Sequence, residues 1–157
     1  MIDNLCTGNK WSVRWGPLEI ADLMDNNTIM QIFNSYKPIA VMHFAAHAYV
    51  GESIGSPIKY YNNNIIGTLN LLNVMDKMKV NFIIFSSTCS TYGIPNEIPI
   101  TESHEQKPIN PYGTSKLIVE QILKNYNESK SLKSVILRYF NAAGADLEGE
   151  IGEWHDP

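Results

Sequence analysis

"VNFIIFSSTCSTYG", residues 80 to 93, sets an apolar run directly against a cluster of hydroxyls and a glycine. The run lacks the polar alternation of a strand with one wet face, so it reads as a strand covered on both sides. Two more runs of this kind occur, "IAVMHFAA" (39 to 46) and "SVILRYFNAAG" (134 to 144). Helical patterns lie between them. After Ser56 and Pro57, a predicted N-cap and first-turn proline, Tyr61, Ile65, Leu69 and Leu72 fall on one helix face. From Tyr112 to about Ser129, Val119, Ile122, Leu123 and Tyr126 recur at i, i+3, i+4 and i+7, again one face. Upstream, "NTIMQIFNSY" reads as a shorter helix and "SVRWGPLEIAD" as an irregular strand ending at Asp22. Strands alternating with helices predict an open parallel α/β sheet with right-handed crossovers.

At 157 residues the chain suits one domain, 1 to 157, that buries roughly 70% of its unfolded surface if its layers close. A net charge of −4 gives no broad positive field for nucleic acid or an anionic membrane. A phosphate-bearing ligand must therefore be held by local groups. Two cysteines, Cys6 and Cys89, form no CxxC, and His43, His47, His104 and His155 form no HExxH, so neither a disulfide framework nor a metal site is expected. No apolar run approaches the ~20 residues of a membrane span, and "MIDNLCTGNK" has no leader pattern. The expectation is a soluble cytoplasmic protein.

In open parallel sheets, ligands bind outside the carboxyl ends of the strands. "MIDN", "EIADL", "HFAAHA", "FSSTCSTYG" and "RYFNAAGA" all stand at predicted strand ends and carry small and uncharged polar residues suited to a nucleotide. The helix that follows the third of the long loops opens with "NPYGTSK", residues 110 to 116, near that ligand edge. Tyr112 and Lys116, at i and i+4, share a helix face there. A fixed ammonium favours the phenolate of a tyrosine whose ordinary pKa is ~10, and so makes it a better base. The same spacing recurs in "YNESK", but Tyr126 lies roughly 21 Å further down the helix and on its apolar stripe. It reads as a core residue, with Lys130 in solvent. The hydroxyls of Ser86, Ser87, Thr88, Ser90 and Thr91 offer a proton relay to Tyr112, although a turn bonded to itself accounts for most of them.

The segments "IDNL", "VMHFAAHAYVGES", "YYNNNIIGTLNLL", "FSSTCSTYG", "PYGTSKLIVEQIL" and "LRYFNAAGAD", in this order, closely resemble the UDP-glucose 4-epimerase family, extended short-chain dehydrogenase/reductases. The resemblance implies a Rossmann-like, doubly wound parallel sheet and a tightly held NAD. It also implies a reaction on UDP-glucose and UDP-galactose, inverted through a 4-keto intermediate. It makes Tyr112 the base, Lys116 the partner of the nicotinamide ribose, and Thr88 the hydroxyl where the family usually has serine. Tyr112 and Thr88 would also touch the sugar, and Asn141 the sugar nucleotide. Asp3 would accept from the adenine ribose, followed by Asn4, Leu5, Thr7 and Gly8, with Asp22 and Leu23 flanking the adenine. Phe44, Ala45 and Ala46 would lead to the nicotinamide, and Asn63, Tyr139 and Phe140 fall at further cofactor positions. A homodimer is implied for the full-length enzyme. Asp3 also suits a turn cap, and Asp22 a helix N-cap.

One expected element is absent from the sequence: no G-x-x-G-x-x-G or G-x-G-x-x-G follows an opening strand. The resemblance places "IDNL" at the second strand, so the first strand, glycine loop and first helix are expected to be missing and the sheet incomplete. In the order 3-2-1-4-5, that first strand is the central one. A substrate region after "GEWHDP" is expected to be missing too. Three readings remain: an epimerase for these hexoses, an epimerase for another UDP-sugar, and an inactive fragment or one half of a split protein. A nucleotide-sugar 4,6-dehydratase would need an acidic pair after its hydroxyl residue, where this chain has Cys89 and Ser90.

Overall fold

The computed structural model describes residues 1–150 and 152. The remaining end of the expected domain, including "EWHDP", lies outside the described residues. The elements run β1 (Ile2–Asp3), β2 (Glu19–Ile20), α1 (Asn26–Tyr36), β3 (Val41–His43), α2 (Val50–Gly55), α3 (Pro57–Tyr60), a π turn (Tyr61–Ile66), α4 (Gly67–Lys77), β4 (Phe82–Thr88), α5 (Pro111–Lys130) and β5 (Lys133–Tyr139). Short 3-10 turns stand at Lys10–Ser12 and Cys89–Thr91. All pairings are parallel, as the apolar runs predict. They form two sheets, β1-β2 and β3-β4-β5. Among the described residues, β1 and β3 therefore each keep an edge without a neighbour. This is the division expected of a sheet without its central strand.

Strand β4 is the centre of the larger sheet. Its Ile83 and Phe85 face the core with Leu71, Leu72, Val74 and Met75 of α4 and Val119 and Leu123 of α5. Ile29 and Phe33 of α1 join the same cluster. Burying side chains of this size contributes about 1.5–3 kcal/mol each before conformational entropy is set against it.

Several local expectations are corrected. "IAVMHFAA" pairs only at Val41–His43, and Phe44, Ala45 and Ala46 form the loop beyond its end. "SVRWGPLEIAD" pairs only at Glu19–Ile20, because Gly16 at φ 78° and the following Pro17, which lacks an N–H, interrupt it. Asp22 does not cap α1; Asp25 does, accepting from the N–H groups of Asn27 and Thr28. Pro57 takes the first turn of α3, but the Ser56 side chain makes no cap bond. The stripe of Tyr61, Ile65 and Leu69 is only half-buried, and Tyr60, Asn64 and Thr68 are buried in its place. The wider π turn rotates the helix, so a face counted at α-helical spacing comes out one residue off.

Candidate active site

The sequence "NPYGTSK" opens α5 with strong local instructions. Asn110 is the N-cap and accepts from the Gly113 N–H at 2.7 Å, and Pro111 supplies a fixed φ in the first turn. Gly113 is needed for a close approach: a Cβ there would stand 2.5 Å from the Ser90 carbonyl oxygen. The helix start is thus pressed onto the turn that follows β4. This contact brings Tyr112 to Thr88.

Three of the residues singled out in the sequence converge at this point. Lys116 is 3% exposed, and its ammonium donates to the Ser86 carbonyl at 2.9 Å. It lies 4.9 Å from the Phe85 ring centroid and 5.9 Å from that of Tyr112. Burial lowers its pKa to about 8. The Tyr112 phenol is pushed above its ordinary range by burial, and a hydrogen bond with Thr88 pulls the other way. The direction is opposite to that expected from the lysine alone, because desolvation dominates. The turn also bonds to itself, since Thr88 Oγ1 accepts from the Ser90 N–H and the Thr88 carbonyl from Thr91 Oγ1.

A second group of candidates lines a cavity of about 900 Å³ between the two sheets. Asp3, Asn4, Thr7, Gly8, Asp22 and Leu23 line it, and so do Phe44, Ala45, Ala46 and Asn63. Asp3 Oδ1 caps its own turn by accepting from the Leu5 N–H at 2.7 Å, and Asn4 donates to Asp22 at 2.7 Å. A Cβ on Gly8 would stand 3.1 Å from Asp3 Oδ1, so a bare glycine keeps that carboxylate accessible. Leu5, at φ 57°, does not line the cavity, and neither do Tyr139, Phe140 and Asn141. Tyr139 is instead the register partner of Thr88 across β4 and β5.

Polar residues that the sequence reading passed over connect the two groups. Asn64, on the π turn, is 2% exposed. Its Nδ2 donates to the His47 carbonyl and to Ser115 Oγ, both at 3.0 Å, and its Oδ1 accepts from the N–H of His47 and from Asn63 Nδ2. Ser115 Oγ in turn donates to the Tyr112 carbonyl at 2.7 Å. His43 meets Thr68 Oγ1 at 2.8 Å, and that hydroxyl already donates to the Asn64 carbonyl, so His43 must donate from Nε2. Burial and the nearby Lys116 lower the His43 pKa to about 3. The imidazole is therefore neutral between the cavity and the lysine. The three asparagines of "YNNNI" gave a signal in the sequence, since a polar residue on an apolar stripe is either solvated or hydrogen-bonded in the core.

The GDP-mannose 4,6 dehydratase family model matches residues 10–152. The chain belongs to that family. It is 52% identical over its full length to the UDP-glucose 4-epimerase of Rhizobium leguminosarum bv. trifolii, of which it spans 48%. It is 45% identical to UDP-arabinose 4-epimerase 1 of Arabidopsis thaliana, covering 98% of this chain and 39% of that one. Among solved structures, the UDP-glucose 4-epimerase of Brucella ovis, crystallised with NAD, superimposes with a TM-score of 0.95 at 49% identity. That match covers 98% of this chain and 47% of that one. The chain thus spans about half the length of the relatives it matches, and the fold is theirs over that half. Among the described residues, no helix is long and apolar enough to cross a membrane, and no cluster of His, Cys, Asp and Glu could hold a metal.

Proposed function

We propose that this chain carries the reacting half of a UDP-hexose 4-epimerase that interconverts UDP-glucose and UDP-galactose with NAD. The observation that supports it most is the convergence of Thr88, Tyr112 and Lys116. These residues do not themselves line the cavity that holds Asp3 but are linked to it through His43, a lining residue that feels the Lys116 charge. In this reading Tyr112 takes the proton of the 4-hydroxyl, Thr88 relays it, and Lys116 holds the nicotinamide ribose. The donor set fits NAD at two places. Asp3 suits ribose hydroxyls and repels a 2'-phosphate, and the apolar loop of Phe44 to Ala46 suits the nicotinamide. NAD, when bound, supplies the redox partner for C4. Asn141 is the proposed contact to the sugar nucleotide.

An assay converting UDP-galactose to UDP-glucose in the presence of NAD tests the reading. Turnover abolished by Tyr112→Phe is expected, and unchanged turnover in that variant would end the assignment. The dehydratase reaction in the family's name is disfavoured, because Cys89 and Ser90 stand where it needs an acidic pair. Other UDP-sugars are set apart by running the same assay on UDP-arabinose and on N-acetylated hexoses.

A second reading is favoured by the separation of the sheets: the chain works only with a complementing segment that contributes a pyrophosphate-binding turn. Calorimetric titration with NAD distinguishes it, since micromolar binding by the chain alone contradicts the need for a complement. Homodimerisation and a cytoplasmic location belong to the proposal as well. Ile58 and Ile66 expose apolar side chains, and Cys6 and Cys89 are free thiols.

A further inference from the structure

Directly beneath the proposed reacting cluster lies a buried ionic array. Glu120 follows Lys116 by one helical turn on the same face of α5, and its side chain is fully buried. It accepts from Ser87 Oγ at 2.5 Å, from Gln106 Nε2 at 2.9 Å and from Arg138 Nη2 at 2.7 Å. Arg138 Nε reaches both carboxylate oxygens, at 3.1 and 3.2 Å, so the grip is two-sided. Its Nη1 holds the Tyr92 hydroxyl at 2.9 Å and the Glu102 carbonyl at 3.1 Å. One carboxylate therefore joins α5, β4, β5 and the loop from Tyr92 to Gln106.

Three members of the array, Ser87, Arg138 and Glu120, are each displaced from a candidate site residue by one step. Ser87 precedes Thr88, and Arg138 precedes Tyr139, and these are register pairs in the sheet: Ser87 with Arg138, Thr88 with Tyr139. Glu120 lies one turn past Lys116, whose ammonium grips the neighbouring Ser86 carbonyl. Two successive residues of β4 are thus tied to two successive turns of α5. A buried ion pair is weak evidence for stability, because apolar replacements of similar volume serve as well or better. Its presence here calls for another reason.

We propose that Glu120, oriented by Arg138, is a positioning residue that fixes the end of β4 through Ser87 and so sets the Thr88 hydroxyl against Tyr112. The proposal rests on reading Thr88, Tyr112 and Lys116 as the reacting cluster. Its two possible roles differ in sign. If the array only packs the core, loosening it lets water reach Tyr112 and its titration midpoint falls, because burial is what raises it. If the array positions Thr88, its loss removes the hydrogen bond that favours the phenolate and the midpoint rises.

The test is 13C NMR titration of Cζ-labelled tyrosine in the ligand-free chain, with Tyr112→Phe assigning the signal. Glu120→Met with Arg138→Met, and separately Ser87→Ala, are each expected to raise the Tyr112 midpoint by about half a pH unit or more. Ser87→Thr, which restores the hydroxyl, is expected to return it to the parent value. A midpoint that stays or falls in Ser87→Ala overturns the proposal. That outcome decides alone if the double variant fails to fold. The titration uses neither NAD nor UDP-sugar, so failure of the epimerase reading shows in turnover and leaves this result separate.

Discussion

Helix α5 carries the same spacing twice, Tyr112-Gly-Thr-Ser-Lys116 and Tyr126-Asn-Glu-Ser-Lys130, and the two copies meet opposite surroundings. Lys116 is buried against Phe85, whereas Lys130 is half-exposed and pairs with Asp76 at 3.2 Å. Ser115 is fully buried between Asn64 and the Tyr112 carbonyl, whereas Ser129 is exposed and bonds back to the Asn125 carbonyl. Tyr126 packs at the edge of the core. A motif of two residues is thus a statement about a helix face and nothing more. The turn after β4 encloses one copy and not the other.

The sharpest way to break the comparison is to remove both phenolic hydroxyls in turn. Tyr112→Phe is expected to cut epimerase turnover by about 100-fold or more, the range for a lost general base, and Tyr126→Phe to leave it at the parent rate. Equal losses would mean that the hydroxyls act through folding. Next comes the residue after each tyrosine. Gly113→Ala drives a Cβ into the Ser90 carbonyl and is expected to cost about 2–3 kcal/mol in urea denaturation. Asn127→Ala, on the exposed face, should stay within about 0.5 kcal/mol.

The lysines differ in pH dependence. Because the Lys116 pKa falls to about 8 on folding, the unfolded chain binds more protons above that value and stability rises with pH. A gain of about 1.5 kcal/mol between pH 8 and 9.5 is expected, abolished in Lys116→Met and retained in Lys130→Met. A rise that survives Lys116→Met would assign it to another group. The smallest contrast concerns the serines. Ser115→Ala strips an acceptor from the buried Asn64 amide and should cost about 1–2 kcal/mol, while Ser129→Ala is neutral or slightly stabilising.

How much of this was legible follows from the range of each signal. The strands β4 and β5 and the helix α5 stood out because periodicity is local, and Tyr112 and Lys116 because i, i+4 is a fixed geometry. Glu120 carried the same signal one turn later, yet a helical carboxylate ordinarily faces water. Partners in other elements take it inside: Arg138, eighteen residues on, together with Ser87 and Gln106. The run of asparagines in "YNNNI" marked a polar interruption, but which of them is buried depends on the π turn, which no periodicity of 3.6 can reveal. His43 looked like one more residue of an apolar run, and its neutral state depends on Thr68, which lies 25 positions away.

The π turn at Tyr61–Ile66 also makes this helix behave as two independently aimed rods. The rod before it directs Tyr60 edge-on toward Tyr112, with ring centroids 6.4 Å apart, while the rod after it directs Leu72 and Met75 into the hydrophobic cluster. Deleting one residue within the bulge would restore uniform winding and swing the first rod by roughly 100° about its axis. Tyr60, which is fully buried, would leave its place beside the Tyr112 ring, while Leu72 and Met75 would keep theirs.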